Sequence, residues 1–153
     1  MPNLSTAAII NAVVSSAAAT GFFERVNEHE PVSSPGNGIT AAVWVDRIVP
    51  APGASGLAST AALFVLNLRI YSLAQAEPRD AIDSNLSDAV DALLTAYGAG
   101  FTLGGLVRDI DLEGEFGTPL SAQYGYVDID TAMYRCATLT VPCVISDVWA
   151  QSA

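Results

Sequence analysis

The run Thr60–Leu73 alternates so regularly that it constrains the fold more than any other feature of the chain. Ala62, Phe64, Leu66, Leu68 and Ile70 fall on one side, against Asn67, Arg69 and Tyr71 on the other. A side-chain period of two predicts a long strand with at least one buried face. Ala132–Ser146 has the same character, with Met133, Ala137, Leu139, Val141, Cys143 and Ile145 on one face. Pro142 lacks a ladder donor, which predicts an edge or a bulge there. Ile39–Val49 predicts a third strand, with Val43 and Val45 on one face and Trp44 and Asp46 on the other. The Gly/Pro-rich connection Pro50–Ser59 then predicts an antiparallel hairpin with a flexible tip, and Pro31–Gly38 is a similar loop before it. Leu106–Glu113 and Leu120–Val127 predict another hairpin.

Two stretches keep helical spacing instead. In Ser5–Thr20, Ile9, Ile10, Val13, Val14 and Ala17 form one stripe, Ser5 is the expected N-cap and Gly21 the expected stop. After Pro78, Ile82, Leu86, Val90, Leu93, Leu94 and Tyr97 form another, with Asp80 or Asp83 as cap and Gly98 as terminator. Phe22–Glu30 is a short strand or an irregular segment. Helix, two strands, helix, three strands predicts an α+β domain spanning residues 1–153. Its small antiparallel or mixed sheet would carry two flanking helices on one face.

Composition narrows the function classes. The 153 residues hold 16 Asp and Glu against six Arg and no Lys, a net charge of −10. A protein that grips nucleic acid needs cations to displace phosphate counterions, so that grip is not expected, and neither is attraction to an anionic membrane. No apolar run reaches the ~20 residues of a membrane span, and no secretory signal is expected. An apolar share of 51% is high for such a chain and hints at subunit interfaces. Cys136 and Cys143, in one strand, would stand roughly 23 Å apart on opposite faces, which predicts two buried free thiols and a reducing compartment.

No catalytic or metal constellation emerges from the motifs, and no cofactor is expected. Asp109, Asp111 and Glu113, followed by Gly114, resemble the opening of a calcium loop, but position twelve of that register is Leu120, and Ile110 and Leu112 are apolar. The better reading is a two-sided strand, core on one face and carboxylates on the other, whose acidic face is well hydrated. Asp128–Ile129–Asp130 reads as a polar turn. His29, the single histidine, stands between Glu28 and Glu30 with no second His or Cys nearby, so it reads as a surface or interface residue. Gly53–Ala54–Ser55–Gly56 misses the nucleophile-elbow spacing. Gly36–Asn37–Gly38 and Gly104–Gly105 lack the lysine and spacing of a phosphate loop.

The remaining unusual runs are Gly21–Pro31, Pro35–Asp46, Ser55–Thr60, Leu68–Tyr71, Gly104–Leu112, and the terminal Val141–Pro142 with Asp147–Trp149. Together they resemble the tail terminator proteins of siphophages infecting actinobacteria. The resemblance implies a homo-oligomer, a hexameric ring on the head-proximal end of the tail tube. That ring stops tube polymerisation and docks the head-tail connector proteins, while DNA passes through the lumen without specific binding. The location implied is the virion, assembled in the host cytoplasm, with no membrane partner. On this reading Pro31, Ser33, Pro35, Gly36, Gly38, Pro50, Pro52, Gly53, Ser55 and Gly56 belong to assembly loops, and Asp109, Asp111 and Glu113 to the solvent or lumenal face. The competing expectations are a tail tube or other neck protein and, from another class, a small cytoplasmic hydrolase using Asp, Glu or His29.

Overall fold

Two long strands organise the sheet. Ser59–Leu73 and Ala132–Ala150 pair antiparallel from Ser59 opposite Ala150 to Leu73 opposite Tyr134, with a bulge between Thr60 and Ala62. The computed structural model describes residues 4–31, 38–51, 58–76 and 78–151. In chain order the elements are helix α1 (Thr6–Ala19), strands β1 (Val26–Asn27), β2 (Thr40–Pro50) and β3 (Ser59–Leu73), helix α2 (Ile82–Ala99), and strands β4 (Asp109–Ile110), β5 (Ser121–Ile129) and β6 (Ala132–Ala150). The sheet runs β1-β2-β3-β6-β4, with β5 also on β6. Among the described residues only β1 and β2 pair in parallel. This is an α+β fold: a mixed six-stranded sheet with two helices. No helix among the described residues is long and apolar enough to cross a membrane.

The alternation of β3 divides labour between the faces. Phe64, Leu66, Leu68 and Ile70 form one cluster with Leu139 and Val141 of β6, under Ile9, Val13 and Ala17 of α1 and Leu86, Leu93 and Tyr97 of α2. Each fully buried large side chain contributes about 1.5–3 kcal/mol. The Tyr97 hydroxyl donates to the Val13 carbonyl at 2.8 Å and so ties one helix to the other inside the core. Gly21 ends α1 with a left-handed φ of 79°, as its position predicts.

Several expectations are corrected. Leu106–Glu113 and Leu120–Val127 do not pair with each other. The strands they contain lie end to end along the same edge of β6, Asp109 opposite Val144 and Ile110 opposite Cys143, then Ser121 opposite Thr140 through Ile129 opposite Ala132. The hairpin is β5–β6, closed by Asp130 and Thr131, both at positive φ (56° and 67°), as a two-residue type I′ turn requires. Pro142 is therefore interior, opposite Val65 of β3. Its carbonyl accepts the Asp111 N–H at 2.8 Å on the other side. A residue's N and O point the same way in an antiparallel ladder, so the missing donor faces the break between β5 and β4 and costs β3 nothing.

Helix ends also differ. Ser5 is the N-cap of α1, but its side chain makes no capping bond. Neither Asp80 nor Asp83 caps α2, which grows instead from a 3-10 turn, Arg79–Ala81, after Pro78. Gly98 stays helical, and the helix closes at Gly100, whose N–H reaches the Ala96 carbonyl at 2.9 Å. Val43 and Val45 do not share a burial state. A bulge between Val45 and Arg47 shifts the register with β3, and Val45 is exposed while Val43 is buried.

Candidate functional site

The face of the sheet turned away from the helices is built from the other half of each alternation. Trp44, Asn67, Thr140 and Ser121 form one cross-strand row, and Ala42, Arg69, Thr138 and Gln123 the next. Beyond them Tyr71 and Tyr134 meet edge to face, with ring centroids 6.2 Å apart. At the hairpin end Leu63 and Val65 are buried with Ala51, Ala61 and Val144, and Phe116 packs on them from the β4–β5 connection. Asn67 and Arg69, between these apolar ends, are half-buried.

Arg69 is held on two sides. Its Nε donates to Thr138 Oγ1 at 2.8 Å, and its guanidinium carbon lies 5.3 Å from the centroid of the Trp44 ring. Among the described residues no carboxylate forms an ion pair with it, whereas Arg47, Arg108 and Arg135 each meet an aspartate. Burial raises the Tyr71 hydroxyl to about 12, against a lowering by the neighbouring Arg69. The hydroxyl is buried beside the Arg69 guanidinium, which stabilises its ionised form, but among the described residues it makes no hydrogen bond of full geometry. A cavity of about 390 Å³ opens over Asn67, Arg69, Thr138 and Thr140, with β5 as its rim.

The acidic trio is unevenly buried. Asp111 is buried, and its carboxylate accepts the N–H groups of Glu115 at 2.7 Å and Phe116 at 2.9 Å. Those two bonds fold the connection that seats Phe116 over Leu63 and Val65. Asp109 is half-buried beside Arg108, and Glu113 is exposed, so the three differ in burial although all of them line one open cavity of about 570 Å³ with Glu115. Ile110 is buried and Leu112 exposed, because the strand ends at Ile110 and its alternation ends with it. The signal for an inward Asp111 was the turn chemistry after it, Gly114 and Gly117 at positive φ with Pro119 beyond.

Of the expected loop residues, Pro31 and Gly38 are half-buried and Pro50 is exposed at the end of β2. A Cβ at Gly38 would run into the Glu24 carboxylate, so glycine there admits that side chain. Ser33, Pro35, Gly36, Pro52, Gly53, Ser55 and Gly56 lie outside the described residues. His29 is exposed, its Nδ1 lying 3.2 Å from the Glu30 carbonyl oxygen. Cys136 and Cys143 are free and buried on opposite faces of β6, as their spacing predicts. No group of three or more His, Cys, Asp or Glu is placed to hold a metal among the described residues. On the helix side of β5, Arg135 pairs with Asp83 at 2.8 Å and lies over the rings of Tyr124 and Tyr126. The Arg135 hydrogen bond holds the exposed Asp83 carboxyl below its ordinary range.

Arg69 is the residue that sequence reasoning undervalued. Its signal was a charge in the middle of the most apolar strand of the chain. A scan against protein-family models and a search of curated proteins found no match to this sequence.

Proposed function

We propose that this chain is a virion structural subunit of the tail-terminator kind, closing with copies of itself into a hexameric ring at the head-proximal end of a phage tail tube. The observation that carries the reading is the set of sequence runs similar to that family, several of which fall on the sheet's long strands. Ile39–Asp46 covers the start of β2, Leu68–Tyr71 the end of β3, and Val141–Pro142 with Asp147–Trp149 fall in the outer half of β6.

Two physical features support the reading, the first of which favours a closed ring over an open tube. Beyond Ala42 the outer edge of β2 has no strand partner among the described residues. That edge carries the bulge at Val45–Arg47 and the exposed pair Asp46–Arg47, 2.7 Å apart. Bulges and charges on an edge oppose open-ended strand addition. Six copies at −10 each would also surround a lumen with acidic charge, which suits DNA in transit rather than DNA held.

Sedimentation velocity and negative-stain imaging of the purified chain, alone and with tail tubes, test the reading. Closed rings of one size that cap one tube end are the expected result. Filaments of unlimited length would point to a tube subunit, and a chain that neither assembles nor binds tubes would sink the proposal.

A further inference from the structure

Within the ring reading, on which it rests, we infer that the cavity over Arg69 is the socket in which each copy receives an acidic side chain of its neighbour. Three observations meet there. Thr138 and the Trp44 ring hold the Arg69 guanidinium through Nε and one face, with the Tyr71 hydroxyl beside it, so that its remaining N–H donors border the cavity. Paired N–H donors in one plane match the two oxygens of a carboxylate. The surrounding cavity, about 390 Å³, adds the amides of Asn67 and Gln123 and the hydroxyls of Thr138 and Thr140, with no charge other than Arg69. Finally, Gly125 on the rim faces open space, since a Cβ there would meet no atom within 4 Å.

Charge complementarity selects the occupant. Every copy carries 16 acidic residues, most of them outside the core, and only six arginines. Among the described residues three of those arginines are ion-paired with an aspartate of their own chain, and Arg69 is not. A second copy is thus rich in the group the cavity lacks. A contact between unlike patches, socket on one copy and carboxylate on the next, is heterologous and generates a ring when the rotation closes.

Sedimentation velocity on wild type, Arg69→Gln and Gly125→Val tests the socket. Gly125→Val fills the cavity from an open position on a strand, leaves Arg69 in place, and so separates blocking from misfolding. Both variants should keep the wild-type circular dichroism spectrum and associate about 30-fold or more weakly. Sodium glutarate should disperse wild-type rings and change Trp44 fluorescence in a Trp149→Phe background. Sodium chloride and inorganic phosphate at equal ionic strength should do neither. Rings of undiminished strength in both variants would overturn the socket and leave the ring reading standing. Dispersal by phosphate or chloride as effective as by glutarate would overturn the carboxylate assignment. If Arg69→Gln unfolds, Gly125→Val and the glutarate titration decide the matter. A wild-type chain that stays monomeric at every concentration overturns ring and socket together.

Discussion

Alternate residues of one strand have two different fates in this molecule. Phe64, Leu66, Leu68 and Ile70 of β3 are all fully buried beneath α1 and α2. Their neighbours on the opposite face change character along the strand, from buried Leu63 and Val65, through half-buried Asn67 and Arg69, to buried Tyr71. The helix face is uniform because one continuous apolar surface is what two amphipathic helices can cover. The other face is covered in pieces by a loop and by side chains of its own strands, and the remaining gap is polar. Folding energy is concentrated on the first face, and the chemistry available to a partner on the second.

The sharpest test of that division compares two truncations three residues apart. Phe64→Ala should cost about 3–5 kcal/mol in urea unfolding, the range for emptying a buried aromatic site. Asn67→Ala should stay within about 0.5 kcal/mol, as expected for a half-buried residue outside a network. Equal losses would show that the helix-free face carries as much of the fold as the helix face.

The loop that covers part of the second face depends on one buried carboxylate. Asp111→Ala removes the acceptor of the Glu115 and Phe116 N–H groups. The expected loss is roughly 1.5–3 kcal/mol, the range for hydrogen bonds to a charged group. Hydrogen exchange should quicken at Glu115 and Phe116 and stay slow in the β3–β6 ladder. Protection that is unchanged at those two amides would mean that Phe116 packing alone holds the loop.

These contrasts also explain what could be read from the sequence. The α+β class, both helices, β2, β3 and β6 were legible because their apolar positions repeat at a fixed period, a local property. The partner of β5 was not legible, since pairing with β6 instead of β4 depends on a turn at Asp130–Thr131 that accepts positive φ twice. Asp111 was misplaced because a period of two assigns carboxylates to solvent, whereas two backbone donors hold this one inside. Arg69 was visible as a charge, but its value depends on having no carboxylate beside it among the described residues, a fact of packing.

The two cysteines of β6 supply a probe on each face. Burial, aided by Asp109, pushes the Cys143 thiol on the helix face up to about 12. Burial also raises Cys136 on the other face, with Arg69 and Arg135 offsetting only part of the rise. A thiol with a folded pKa above its unfolded value near 9 adds stability that is complete below pH 9. That contribution is lost as the pH rises from about 9 to about 12, with a limiting slope of roughly 1.4 kcal/mol per pH unit from this group. Urea midpoints at pH 8 and pH 10.5 should fall less in Cys143→Ala than in wild type. A Cys143→Ala curve parallel to that of wild type would assign the alkaline loss elsewhere. Tyr71, raised to about 12, is the next group to test.

The smallest expected effect concerns the rim of the cavity. β5 is joined to β6 by Asp130 and Thr131 at φ of 56° and 67°. Aspartate tolerates the left-handed region, but a β-branched threonine is strained there by about 1–2 kcal/mol. Glycine removes that strain and gives back part of the gain through the extra freedom of the unfolded chain. Thr131→Gly should therefore raise stability by about 0.5–1 kcal/mol, and Thr131→Asn by a similar or smaller amount. Because the turn is remote from Arg69, neither change should alter association of the subunits. A Thr131→Gly variant that is more stable yet assembles poorly would show that the strained turn sets the position of β5, making the rim of the cavity part of the assembly surface rather than its support.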